Sequence, residues 1–426
     1  MTMVVLYDDR RARTFEPFAS TRPVSEMLAG TSLIRDRWMI ALQPSVGTRF
    51  VAGPRMADFA EGEHASAAIG VIPAGTIIAN ARCVPQFPAD IPRAAERAAT
   101  CSLWRCGNDV AAVRLRAPLE ATAFDDGSLT LEELHAGTGA IGEVKGWWHH
   151  EVWDFVRLLG EQIISDIALW SQQEYNRSRL DIYRPPQHTV VIGDHPVLVL
   201  GGDDGSGLKR AIVEPNVVLD ASAGPIMIGA GAHVRAFARL NGPCYVGRDS
   251  TVLGGEISGS SIGDVCKVRG EMASTLFIGH SNKSHEGFVG HSYIGRWVNL
   301  GAGTTTSNLK NTYGTVSLWT PSGVRDTGQQ FLGTLFGDHV KTGIGLRLTT
   351  GCVLGAGANV YDAMPPKVVA PFSWGGGPPY ATYRVDKFIE TAGRMMARRH
   401  VELTERHRRH FSAAHAARWT AYAEET

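Results

Sequence analysis

Apolar residues recur every six positions through the middle of this chain: Ile228, Val234, Leu240, Val246 and Val252, with Gly229 and Gly247 behind the first and fourth. A second run of the same period, Phe336, Thr342, Leu348, Leu354 and Val360, carries Gly337 and Gly355. Between the runs, Ile262-Gly263, Val268, Val289-Gly290, Ile294-Gly295 and Leu300-Gly301 keep the pattern with slips of one residue. An amphipathic helix repeats at about 3.6 residues and a strand at about 2, so neither produces it. A hexapeptide solenoid does. Each hexamer is one short strand and a turn, and three close a triangular coil whose interior takes the aliphatic residue and whose corner admits only a small one. A sandwich would space its turn signals more widely and less evenly. The expected architecture is a left-handed parallel β-helix.

Composition locates that domain. Of 48 glycines, 34 fall in residues 186–380, against 13 before and one after. Pro185-Pro186 cannot continue a helix and marks the boundary. The expected domains are 1–150 as mixed α/β, 151–185 as a helical linker, 186–370 as the β-helix and 371–426 as a helical arm. Residues 321–334 break the repeat and read as a loop or insertion between coils. The 426 residues carry 42 basic and 42 acidic side chains, which gives no global electrostatic case for nucleic acid or membrane. Six scattered cysteines, with no signal-like start and no long apolar stretch, point to reduced thiols in a cytoplasmic protein.

In the flanks, Met3–Leu6 reads as a strand running into Asp8-Asp9-Arg10-Arg11, Val24–Leu42 as a helix, and Ile69–Ile72 and Thr76–Ile78 as further strands. Val152, Phe155, Val156, Leu159, Ile163 and Ile167 fall at helical spacing between Glu151 and Gln172, with Trp147, Trp148 and Trp153 packed at the start. Near the C-terminus, Phe388, Ala392, Met395, Leu403 and Phe411 share a helical face beside six arginines that Glu402 and Glu405 interrupt, a solvated or packing face.

The chemistry concentrates in 280–313, His-Ser-Asn-Lys-Ser-His285-Glu-Gly-Phe-Val-Gly-His291 through Asn299-Leu-Gly-Ala-Gly-Thr304 to Asn308 and beyond, groups too polar for a solenoid interior. This segment resembles the acetyltransferase half of the bacterial bifunctional N-acetylglucosamine-1-phosphate uridyltransferase and glucosamine-1-phosphate acetyltransferase family. The resemblance implies His285 as general base, Asn299 as a sugar contact and Asn308 as a holder of acetyl carbonyl and sugar. An imidazole titrating near neutrality suits removal of a proton from an amine that attacks a thioester. Two positions depart from the family: Phe288 replaces a sugar-contacting tyrosine, and Ala273 a phosphate-binding lysine. By charge, Arg239, Arg269, Lys283 and Lys310 are then the phosphate candidates. Ile344 and Ala356 match the coenzyme A stretch.

The family's first domain is a Rossmann-like nucleotidyltransferase with a glycine-rich phosphate loop, and here the matching stretch Asp8–Arg13 has no glycine. Thr21-Arg22-Pro23 resembles the family's Lys-Pro segment, so Asp8, Arg10 and Arg22 are the candidate nucleotide contacts. The resemblance implies acetyl-CoA as donor, UTP and Mg2+ for a working first domain, and a homotrimer with acyl sites between solenoids. No protein-bound metal is expected at the acyl site. The rival readings are a γ-class carbonic-anhydrase-like zinc site on His280 and His285, and a non-catalytic sugar-nucleotide sensor.

Overall fold

The computed structural model describes residues 2–61, 66–135, 137, 139–172, 188–201 and 209–420. The expected boundary at Pro185-Pro186 lies outside them. The chain divides into two compact units, one of Met1–Val152 with Leu403–Ala417 and one of Trp153–Glu402 with Arg418–Thr426.

The first unit is built on a six-stranded mixed sheet, in the order Ala140–Glu143, Cys101–Cys106, Asp109–Arg114, Ile77–Asn80, Met3–Tyr7, Gly47–Val51. Met3–Tyr7 runs parallel to both neighbours, pairing Val5 with Arg49 and with Ile78. The hairpin 101–114 then enters antiparallel, so the run of parallel neighbours that a Rossmann-type fold requires is confined to the three strands at the Gly47–Val51 edge. Val5, Tyr7, Val51, Ile78, Leu103, Val113 and Phe124 form one core of the unit. The expected helix over 24–42 begins only at Ile34. Gly30, at φ 60°, turns the chain between the two-residue strands Leu28–Ala29 and Ser32–Leu33, where a helix cannot run through. Trp38 then buries fully, its indole N–H donating to the Cys83 carbonyl at 3.1 Å.

The second unit contains three parallel stacks of short strands, the arrangement of a parallel β-helix. The first face runs from Val190–Ile192 to Val289–Gly290 and is continued by Thr305–Thr306 and Arg347–Leu348. A second face has nine strands from Val197–Val199 to Val368–Val369, and the third runs from Ile212–Val213 to Asn282–Lys283 before Lys341–Thr342 resumes it. Ile228, Val234, Leu240, Val246, Val252, Phe336, Leu348, Leu354 and Val360, all from the six-residue pattern, lie in its core. Paired residues on successive rungs are eighteen apart at Ile226 and Cys244 but fifteen at Ser261 and Leu276. Those uneven coils are the slips in the sequence. A Cβ at Gly247 would stand 2.6 Å from an Asp264 carboxylate oxygen on the next rung, which is why the corner stays bare.

Ile294 pairs directly with Phe336, so the chain leaves the coil between Thr306 and Thr334 and returns in register. The departure is longer than the expected 321–334 and contains an antiparallel hairpin, Ser317–Thr320 against Gly323–Asp326. The helix expected from Glu151 is a short turn at Asp154–Arg157 followed by Leu159–Gln172. Trp147 and Trp148 instead join a strand of the first unit, paired with Cys83–Pro85, and Trp153 lies under Arg325 in the second. At the C-terminus the single expected face is two helices. Val385–Ala397 buries Phe388, Ala392 and Met396, rather than Met395, while Glu405–Ala416 is started by a capping box at Thr404 and belongs to the first unit. Of the arginines there, Arg394 pairs with Glu390, Arg408 with Glu405 and Arg409 with Asp58. All six cysteines are buried and unpaired, and no helix among the described residues is long and apolar enough to cross a membrane.

Candidate functional site

Two consecutive corners of the β-helix, 284–288 and 300–304, lie one on the other. The Gly303 amide donates to the Glu286 carbonyl at 3.0 Å, Leu300 to Asn282 at 2.9 Å and Thr306 to Phe288 at 2.9 Å. Gly287, at φ 128°, has no room for a side chain against the Thr304 carbonyl of the neighbouring corner. This stacking brings the His285 and Asn308 segments, twenty-three residues apart, to adjacent rungs.

His285 is exposed, and its ring is bonded to nothing among the described residues. Its backbone is held from below by Lys283. That lysine occupies an inward position paired with Val268 and is 2% exposed; its amine donates to the carbonyls of Arg269 and His285, each at 2.8 Å. Burial pushes its pKa down to about 8. Lys283 is therefore sealed inside the coil and is not a phosphate ligand, a correction to its choice by charge alone. Arg239 is spent on Asp220 and Asn241, and it stands three rungs before Val289 on the same face, about 14 Å at the ordinary strand spacing of about 4.8 Å. Arg269 pairs with Glu286 at 2.7 Å in solvent. Lys310, two residues beyond Asn308, makes no side-chain hydrogen bond or close ion pair among the described residues, although its charge acts on Asp326, and it remains the phosphate candidate.

Asn299 continues an amide ladder on the third face: Ser284 donates to Asn282, and Asn282 donates to the Asn299 side-chain oxygen at 2.9 Å. The amide N–H groups of Asn299 remain for a ligand. Phe288 and Asn308 converge over Gly290, where a Cβ would lie 2.7 Å from the Asn308 amide nitrogen and closer still to the Phe288 ring. The same amide donates to Nδ1 of His291 at 2.9 Å, and His291 stacks on Phe331 at 5.2 Å between ring centres. Burial pushes the His291 pKa below its ordinary value, so the ring is neutral at pH 7. His291 stood in the sequence without a role. Its signal was its spacing, seventeen residues, or one rung, before Asn308. Phe331 lies in the excursion and had no such signal.

Of the two coenzyme A candidates, Ile344 is 81% exposed, whereas Ala356 is fully buried and could meet a ligand only through its backbone. His280 packs on Trp297 at the preceding corner, 4.4 Å between ring centres. His233, an upstream solenoid histidine that lacks the spacing expected of a third zinc ligand, is bonded to Glu214 at 2.6 Å. Among the described residues no three His, Cys, Asp or Glu side chains converge as a metal site.

In the first unit the strand Met3–Tyr7 delivers two carboxylates with opposite fates. Asp8 is buried; one oxygen accepts from the Val24 amide at 2.9 Å, the other has no partner among the described residues, and burial pushes its pKa up to about 7. Asp9 accepts from Arg82, from Asn80 at 2.8 Å and from the Ala12 amide at 2.9 Å. Burial alone would raise the Asp9 pKa, but the bonds and charge of Arg82 overcome it and hold the carboxyl below its ordinary range. With Asp9 committed and Asp8 enclosed, the pair does not fit a Mg2+ ion held between them. Arg22, expected to meet nucleotide phosphates, is 1% exposed and paired with Glu61 at 2.6 Å, over the Phe59 ring. Arg13 donates to the carbonyls of Asp8, Phe124 and Asp125. Arg10 stays exposed, with its guanidinium unbonded among the described residues. Replacing Arg82 with alanine strands Asp9 and is expected to lower unfolding stability by roughly 2 kcal/mol, read from denaturant midpoints.

Residues 4–174 match the model of the sugar nucleotidyl transferase family. A bifunctional sugar-1-phosphate nucleotidylyltransferase/acetyltransferase from Sulfurisphaera tokodaii is 33% identical over 91 residues, which is 21% of this chain and 23% of that protein. The match thus spans about a quarter of the relative's length. The matches support a transferase of sugar-nucleotide biosynthesis.

Proposed function

We propose that this chain makes an N-acetylated sugar nucleotide. The acyl reaction is transfer of acetyl from acetyl-CoA to the amine of a hexosamine 1-phosphate, glucosamine 1-phosphate first among them. The nucleotidyl reaction is uridylyl transfer from UTP, giving UDP-N-acetylglucosamine. One observation carries the reading: an unbonded imidazole, His285, and an anchored amide, Asn308, sit on adjacent rungs of a β-helix whose chain begins with a sugar nucleotidyl transferase match.

His285 takes the proton of the sugar ammonium and leaves a nitrogen lone pair, which attacks the thioester carbonyl. The carbon–nitrogen bond forms as the carbonyl electrons move to oxygen. Asn308 and backbone amides of the glycine-rich corner offer N–H groups to that oxyanion. Its collapse breaks the carbon–sulfur bond; the thiolate takes the proton held by His285, and the extra proton on the new amide nitrogen passes to solvent, leaving the N-acetyl sugar and coenzyme A as a thiol. Asn299 orients the sugar, and Lys310 meets its phosphate. Phe288 offers an apolar ring to the sugar in place of a hydroxyl. Ile344 lies on the coils that would receive the pantetheine arm. Homotrimeric assembly, with a neighbouring solenoid closing each site, belongs to the same proposal and is read from the solution mass.

The first unit has a second reading, binding a sugar nucleotide without turnover. The burial of Arg22 and the locking of Asp9 by Arg82 speak for it, and the sugar nucleotidyl transferase match over residues 4–174 speaks for turnover, which is the reading adopted. One assay separates these readings: the protein with acetyl-CoA and glucosamine 1-phosphate, with and without UTP and Mg2+, followed for free thiol and pyrophosphate. Thiol release and pyrophosphate release together are the expected result. Thiol without pyrophosphate makes the first unit a binding domain, and no thiol across a panel of amino-sugar phosphates overturns the acyl reaction.

A further inference from the structure

The excursion between Thr306 and Thr334 ends where the site begins. Its returning segment bonds to both halves of the corner: Leu332 donates to the Asn308 carbonyl at 2.9 Å and Gly333 to the His291 carbonyl at 2.8 Å. Phe331 pairs with Leu309 across an antiparallel bridge and lays its ring on His291, tilted by 25°. His291 is held from the other side by its own amide, which donates to Ala273 at 2.8 Å. Both main-chain flanks of the imidazole and one of its faces are thus fixed before any ligand arrives.

A primary amide has no freedom once one of its N–H groups is committed. The Asn308 amide nitrogen faces Nδ1 of His291 and, since that nitrogen can only donate, gives it one hydrogen. Nδ1 must then be bare, with the ring proton on Nε2. The second N–H and the oxygen of Asn308 are left pointing in set directions. Rotating the amide by half a turn would turn its oxygen to the ring and require the other tautomer, with the proton on Nδ1.

We propose that His291 is a positioning residue for acyl transfer: as a neutral acceptor clamped by Phe331, it fixes the Asn308 amide so that its remaining N–H meets the thioester oxygen and its carbonyl meets the acceptor. The inference rests on the acyltransferase reading above. It differs from a packing role in what it predicts for the two ring properties of His291, its flat face and its acceptor nitrogen.

Two variants separate those properties. His291→Phe keeps a flat ring against Phe331 and removes the acceptor, whereas His291→Gln gives up the ring and retains an acceptor oxygen. Initial rates of thiol release are measured against both substrates, with thermal midpoints for each protein. The expected result is a kcat at least tenfold lower in His291→Phe with the KM for acetyl-CoA unchanged, and a kcat within about threefold of wild type in His291→Gln. Equal kcat in wild type and His291→Phe overturns the clamp while leaving the acyl reaction standing. Equal losses in both variants, tracking their thermal midpoints, reduce His291 to packing and also overturn it. Absence of thiol release from wild type overturns the acyl reading itself, and the clamp falls with it.

Discussion

Replacing His285 with alanine is expected to lower kcat for acetyl transfer by a hundredfold or more, with little change in fold. General-base catalysis by a positioned side chain contributes roughly 10²–10⁴ in rate, and His285 has the attributes of such a base. Its ring is exposed and bonded to nothing among the described residues, while its main chain is anchored through the Lys283 amine. Stability should change little, because an exposed unbonded ring removes no packing. The His285→Ala protein should therefore keep the wild-type thermal midpoint to within about a degree. A loss below tenfold, with the fold intact, would assign the proton to another group.

Acidification is expected to detach the C-terminal helix, Glu405–Ala416, from the first unit. Its anchor is His410, 3% exposed, whose Nε2 donates to the Thr21 carbonyl at 2.9 Å while Nδ1 is buried without a partner among the described residues. Burial pushes the His410 pKa from 6.5 down to about 4. A detached helix therefore binds a proton more readily than a docked one across that interval, and docking weakens as pH falls from about 6.5 to about 4. The full interval corresponds to about 3 kcal/mol, with no further loss below it. Asp8 and Glu26, both pushed up to about 7 by burial, shift global stability in the opposite direction, since their native forms hold protons that the unfolded chain releases. Global melting would mix the two trends. Hydrogen exchange of residues 405–416 isolates the helix, and His410→Gln keeps a donor for Thr21 without a titrating group. Wild type should lose protection between pH 7 and pH 5 while His410→Gln does not. Identical profiles would remove His410 from the anchor.

The period of six was legible because only a corner-turning coil has that repeat, and its aliphatic residues are the observed core. The interruptions were legible only as slips, since coil lengths between fifteen and eighteen residues depend on how each corner packs. Lys283 shows the limit of reading charge along a chain. Its place in the inward column follows from its pairing with Val268, and a lysine there satisfies its amine on two backbone carbonyls instead of on a phosphate. Arg22 misled for a similar reason, because its partner Glu61 lies thirty-nine residues away and becomes a neighbour only through the fold. The Arg82 lock on Asp9 is equally non-local. His291 was the recoverable omission. Once the rung length is known, a polar residue one rung before Asn308 is its neighbour, and the distance of 2.9 Å between them is a consequence of register.

The most direct test of the account follows one atom label through both reactions. The protein is incubated with acetyl-CoA carrying 13C in the acetyl group, glucosamine 1-phosphate, UTP and Mg2+, and the products are resolved by mass spectrometry. The account predicts labelled UDP-N-acetylglucosamine formed with one equivalent each of free coenzyme A and pyrophosphate, and loss of the label from the product in His285→Ala. A sugar nucleotide formed without the label, or labelled product made equally well by His285→Ala, would contradict it.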